Sequence, residues 1–88
     1  MSINKKAVWE KAKEIEGKNS QKVRQDPYGN EIHYKQYGKN TQHGWEVDHI
    51  EPKALGGSDN TRNLQAMQTK KNRDLGDSLK KRSRHNQK

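Results

Sequence analysis

Gly44-Trp45-Glu46-Val47-Asp48-His49-Ile50-Glu51-Pro52 is followed by Gly56-Gly57-Ser58-Asp59-Asn60, then by Asn63-Leu64-Gln65-Ala66-Met67, then by Asn72-Arg73. Trp45 and Val47 alternate with polar neighbours, the period of a half-buried strand, and Pro52 cannot continue one. The strand therefore ends where the polar pair Asp48-His49 emerges. The two glycines with Ser58, Asp59 and Asn60 mark a turn. Leu64 and Met67 then return the chain against the first strand, and a short helix is expected to begin near Gln68 or Thr69 and to close at Gly76. A strand, a return strand and a helix in this order bring Asp48, His49, Asn63 and Asn72 toward one place.

Those four residues form a chemically coherent set. Hydrolysis of a phosphodiester needs an activated water, stabilisation of negative charge on the phosphate, and help for the departing oxygen. An aspartate carboxylate and an asparagine carbonyl are hard oxygen ligands that suit magnesium or manganese. A histidine accepts a proton near neutral pH. Strand alternation sends Asp48 and His49 to opposite faces, so a local twist is needed to aim both at one phosphate. Taken singly, each residue has an ordinary reading: a surface Asp-His pair, and asparagines that cap helices or sit in loops.

The order and spacing of Val47-Asp48-His49-Ile50-Glu51-Pro52, Gly56-Gly57-Ser58-Asp59, Asn63-Leu64-Gln65 and Asn72-Arg73 resemble the HNH endonucleases and their ββα-metal, or His-Me finger, motif. The resemblance covers residues 44–77, under half of the chain. It implies that His49 is the general base, that Asp48 and Asn72 are ligands of one divalent ion, and that Asn63 fixes the loop and orients the His49 ring. Asn72 stands where many members carry a final histidine, as in the HNN variants, which implies Mg2+ or Mn2+ as the cofactor. Many members also hold a structural zinc with two Cys-x-x-Cys pairs, and this chain has no cysteine.

Bracing must then come from residues 1–43, read as an N-terminal helix and a β-hairpin. Asn4 is a good N-cap, Val8, Ala12 and Ile15 recur at helical spacing, Trp9 widens the face, and Gly17 offers a stop, so a helix is expected over residues 4–16. Asp26-Pro27-Tyr28-Gly29-Asn30 reads as a hairpin turn with Ile32, Tyr34 and Val23 inward, and Tyr37-Gly38-Lys39-Asn40 breaks the second strand. Trp9 and Trp45 are assigned to the core, because so few other large apolar residues exist. A second metal site among His33, His43 and His85 is the lesser reading, because their spacing fits no ligand motif and polar histidines in loops are common. Residues 78–88 form a basic tail. The expected fold is thus a small single α+β domain.

The composition agrees. Of 88 residues, 25% are hydrophobic and 34% charged, which allows one domain with a thin core. No apolar run is long enough to span a bilayer and the first residues have no signal-peptide core, so a soluble, cytoplasmic protein is expected. Nineteen Lys and Arg against eleven Asp and Glu leave a formal charge of +8, which points to DNA, or RNA, as partner. Lys70, Lys71 and Arg73 on the last helix, with Lys80, Lys81, Arg82 and Arg84 of the tail, are the candidate backbone contacts. The competing reading is a non-catalytic basic domain that binds nucleic acid or protein. A cognate inhibitor or a larger parent complex is compatible with either.

Overall fold

Trp45 is fully buried at the start of a strand, and three other aromatic rings, of Trp9, Tyr34 and Tyr37, close around it. Trp9 lies 5.0 Å away at a tilt of 48°, and Tyr34 stands 5.2 Å from Trp9, edge to face. Each indole N–H finds a backbone carbonyl, Trp9 at Ser20 (2.9 Å) and Trp45 at Tyr34 (3.1 Å), so the rings bury without stranding a donor. Val8, Ile32, Leu64 and Ala66 complete the core, with Ala12 and Val47 packed at its edge. Both tryptophans are core residues, as their scarcity implied.

The structure is a computed structural model that describes residues 3–76. The elements are α1 (Lys5–Trp9), β1 (Lys13–Glu14), β2 (Val23–Gln25), β3 (Glu31–His33), β4 (Trp45–His49), β5 (Leu64–Gln68) and α2 (Thr69–Leu75). Single 3-10 turns lie at Tyr34–Gln36, Lys53–Leu55 and Thr61–Asn63. β1, β2 and β3 form one antiparallel sheet and β4 with β5 another. The architecture is α+β, with two helices and two antiparallel sheets among the described residues. None of these helices is long and apolar enough to cross a membrane. The tail lies outside the described residues.

The helix expected over residues 4–16 is cut short. Asn4 caps it as anticipated, its side chain accepting from Ala7 N at 3.1 Å, but α1 stops at Trp9. The segment beyond it is held by Arg24, which is buried in β2. Its guanidinium donates to the carbonyls of Glu10 (3.0 Å), Ala12 (2.9 Å) and Ser20 (2.8 Å). A continuing helix would need the first two for the amides of Glu14 and Glu16. Lys13 and Glu14 pair instead with Gln25 and Arg24, and Ile15 is left half-exposed in a turn. The hairpin at Asp26-Pro27-Tyr28-Gly29-Asn30 forms where expected, with Ile32 buried. Val23 is only half-buried, while Tyr34 starts a 3-10 turn that ends β3 before Tyr37.

Asp26 joins the two halves. Its carboxylate is buried and accepts from Tyr28 N, Asn30 N and Asn30 Nδ2 within the turn, and from Gln68 N at 3.0 Å across the chain. Thr69 N donates to Gly44 O at 2.9 Å beside it. These two bonds fix the point at which β5 becomes α2.

If Arg24 holds this segment in this way, removing it takes a donor from the part-buried carbonyls of Glu10 and Ala12, a loss of roughly 1–3 kcal/mol. Urea denaturation of Arg24→Ala should show that loss. Arg24→Lys should recover only part, because one ammonium cannot present the rigid fork of donors. Unchanged midpoints for both variants would contradict this role for Arg24.

Candidate active site

The register of β4 on β5 sets Asp48 opposite Gln65 and His49 opposite Leu64. Glu46 and Asp48 share the strand face that Asn72 of α2 approaches, because Asn72 Nδ2 donates to Glu46 Oε2 at 2.5 Å. His49 falls on the other face by alternation, but it is the last residue of β4 and the chain bends directly after it. Both residues therefore line one cavity of about 470 Å³, with Glu46, Lys53 and Asn72 also in its wall. A larger cavity of about 550 Å³ lies against the hairpin turn and β5. It combines no histidine with oxygen ligands, and the Asp26 carboxylate in its wall is already engaged by four N–H donors.

Asn63 holds the loop that follows His49. Its Oδ1 accepts from Glu51 N at 2.8 Å, and its Nδ2 donates to Glu51 O (3.1 Å) and Ser58 O (2.8 Å). Ile50 N donates to the backbone carbonyl of the same residue at 2.8 Å. The approach is so close at Gly57 that a Cβ would fall 1.7 Å from Glu51 O and 3.0 Å from Asn63 Nδ2. Gly56 supplies the left-handed step before it, with φ of 95°. The amide thus ties both ends of the loop by backbone groups and makes no described bond to the imidazole.

The group that holds the imidazole is Asp59. His49 Nε2 and Asp59 Oδ1 are 2.7 Å apart, and Lys53 Nζ stands 3.6 Å from Asp59 Oδ2. The hydrogen bond from His49, helped by the Lys53 charge, keeps the Asp59 carboxyl below the usual aspartate range. An ionised carboxylate can only accept, so Nε2 carries the proton and Nδ1 is the proton acceptor of the neutral ring.

Asp48 and Asn72 are both buried, at 5% and 7% exposure. Gln65 Nε2 donates to Asp48 Oδ2 at 3.4 Å. Asn72 Oδ1 is buried with no hydrogen-bond partner, although its own Nδ2 is held by Glu46. A buried amide oxygen without a donor is costly unless something else satisfies it. An orphaned carbonyl oxygen and an aspartate in one cavity wall fit a hard divalent cation, with Glu46 supplying further negative charge.

Of the candidate phosphate contacts, Lys70 is exposed on α2, Lys71 Nζ lies 5.1 Å from the Tyr28 ring, and Arg73 Nη2 is 4.0 Å from Glu46 Oε1. Lys80, Lys81, Arg82 and Arg84 lie outside the described residues. Glu46, Lys53 and Asp59 were not singled out from the sequence. Alternation from Asp48 would have flagged Glu46, but nothing local pairs Asp59 with His49.

Asn63→Ala leaves Glu51 N and the Glu51 and Ser58 carbonyls without this partner, so thermal or urea unfolding should show a loss of roughly 1–3 kcal/mol. Asn63→Asp should be no better, because it sets a carboxylate oxygen against two carbonyls. Wild-type stability in both would mean that the clamp holds nothing. The chain matches no protein family, no curated protein and no solved structure.

Proposed function

We propose that the chain is a metal-dependent endonuclease of the HNH type that hydrolyses DNA phosphodiester bonds, with β4, β5 and α2 as its ββα-metal unit. One observation carries the reading: Asp48, His49 and Asn72 line a single cavity, and the Asn72 carbonyl oxygen is buried without a partner. A basic nucleic-acid-binding module has no use for that combination.

In this reading His49 accepts the proton of the attacking water at Nδ1, while Asp59 on Nε2 fixes the tautomer and stabilises the imidazolium that forms. Asp48 and Asn72 hold one Mg2+ or Mn2+, and Glu46 keeps the Asn72 amide turned so that its oxygen is available. The ion, when bound, supplies charge stabilisation to the phosphate and to the departing oxygen. Asn63 acts at a distance from the reaction by holding the loop that carries Asp59. Lys53 in the cavity wall and Lys70 and Arg73 on α2 offer positive charge to the backbone of DNA, or of RNA.

Purified chain should cut supercoiled plasmid with magnesium or manganese and not with a chelator. His49→Ala should slow cleavage by on the order of 10² or more, the usual worth of a general base, with little change in metal or DNA affinity. Asp48→Ala and Asn72→Ala should weaken metal binding in calorimetry. Cleavage by His49→Ala within about tenfold of wild type would assign the base elsewhere. Tight DNA binding with no cleavage in any metal would leave a binding module.

A further inference from the structure

From the sequence His33 and His43 read as loop histidines. In the fold they meet. Glu31 and His33 are two apart on β3 and so share a face, with Glu31 Oε2 and His33 Nε2 2.7 Å apart. His43 arrives from the segment before β4, drawn in by a backbone bond from His33 N to His43 O of 2.9 Å. Its ring stacks on His33 with centroids 4.2 Å apart. One ligand atom from each of the three residues lies within 4.8 Å of the other two.

We propose that Glu31, His33 and His43 form a second metal site, for a transition-metal dication of the zinc type, sharing no residue with the cavity of Asp48 and Asn72. Two imidazoles and a carboxylate are a ligand set that zinc accepts with water in the fourth position, whereas magnesium and manganese prefer oxygen. His43 Nδ1 faces the Glu31 carbonyl at 3.2 Å, so it carries the proton there and leaves Nε2 as the lone pair for a metal. The Glu31–His33 contact is a hydrogen bond in which Nε2 carries the proton, and an ion would replace that proton and open the pair to the roughly 3.3 Å edge of a tetrahedron with bonds of about 2.0 Å. A carboxylate with two neutral imidazoles carries one negative charge, and both the Glu31 and His33 side chains are about one-third exposed, so an ion can enter from water. Binding requires the parallel rings to turn until their in-plane lone pairs converge, a rotation about χ2 of one histidine.

The consequence is structural. The ion would fasten the three-stranded sheet to the segment that leads into β4, in a chain with no cysteine to cross-link it. It also lets the protein hold two different metals, sorted by ligand chemistry.

The test is a zinc titration of metal-free, full-length protein, followed by calorimetry and by NMR of the imidazole nitrogens. One equivalent of zinc should bind, shift the ring nitrogens of His33 and His43, and raise the melting temperature. Asp48→Ala should retain that equivalent. His43→Gln should weaken it by more than the roughly 10- to 100-fold typical of losing an outer-shell partner. Magnesium should move neither ring. Zinc binding of unchanged affinity in His43→Gln would overturn the proposal, as would saturation that shifts only His49 or no histidine. Should His43→Gln fail to fold, the wild-type ring shifts decide the matter by themselves.

Discussion

β4 and β5 pair over five residues each, from Trp45 opposite Gln68 to His49 opposite Leu64, and this register governs both faces of the molecule. One face sends Trp45, Val47, Leu64 and Ala66 into the core. The other carries Glu46 and Asp48 toward α2. A slip of one residue would turn Trp45 outward and bury Asp48 against the aromatic rings, so the two faces cannot be exchanged. The register is held at both ends by side chains from elsewhere: Asn63 and its own carbonyl fix the His49 end, and Asp26 fixes Gln68. Because Gln68 is held, α2 begins at Thr69 and its first full turn delivers Asn72 to Glu46.

A chain with so little apolar substance uses polar groups where larger proteins use packing. Arg24 collects three carbonyls, Asp26 four N–H donors, and Asn63 three backbone groups. Each links segments distant in sequence, and each would be a liability if left unpaired. Against that background the buried, partnerless oxygen of Asn72 is an exception, and the residue that carries it lines the cavity of Asp48 and His49. The buried Thr69 hydroxyl is a second exception, for which the structure gives no account.

Much of this arrangement was legible locally. Alternation at Trp45 and Val47, the turn residues from Gly56 to Asn60, Leu64 returning the chain, and a helix from Thr69 closed by Gly76 all depend on neighbours in sequence, and all appear where expected. The helix expected through Glu16 stops at Trp9, and Arg24, remote in sequence, binds the carbonyls of the segment beyond it. The Asp59 contact with His49 and the meeting of Glu31, His33 and His43 were hidden for the same reason. Such groups are brought together by loops whose paths no local pattern encodes. Glu46 is different: the strand period alone sets it on the face of Asp48.

The central claim, that Asp48 and Asn72 are two ligands of one ion beside His49, is tested most directly by anomalous diffraction from crystals of the full chain in manganese. The account expects an anomalous peak in the cavity, bonded to the Asp48 carboxylate and to Asn72 Oδ1. A cavity without a peak at saturating manganese, or a peak that touches neither residue, would contradict it.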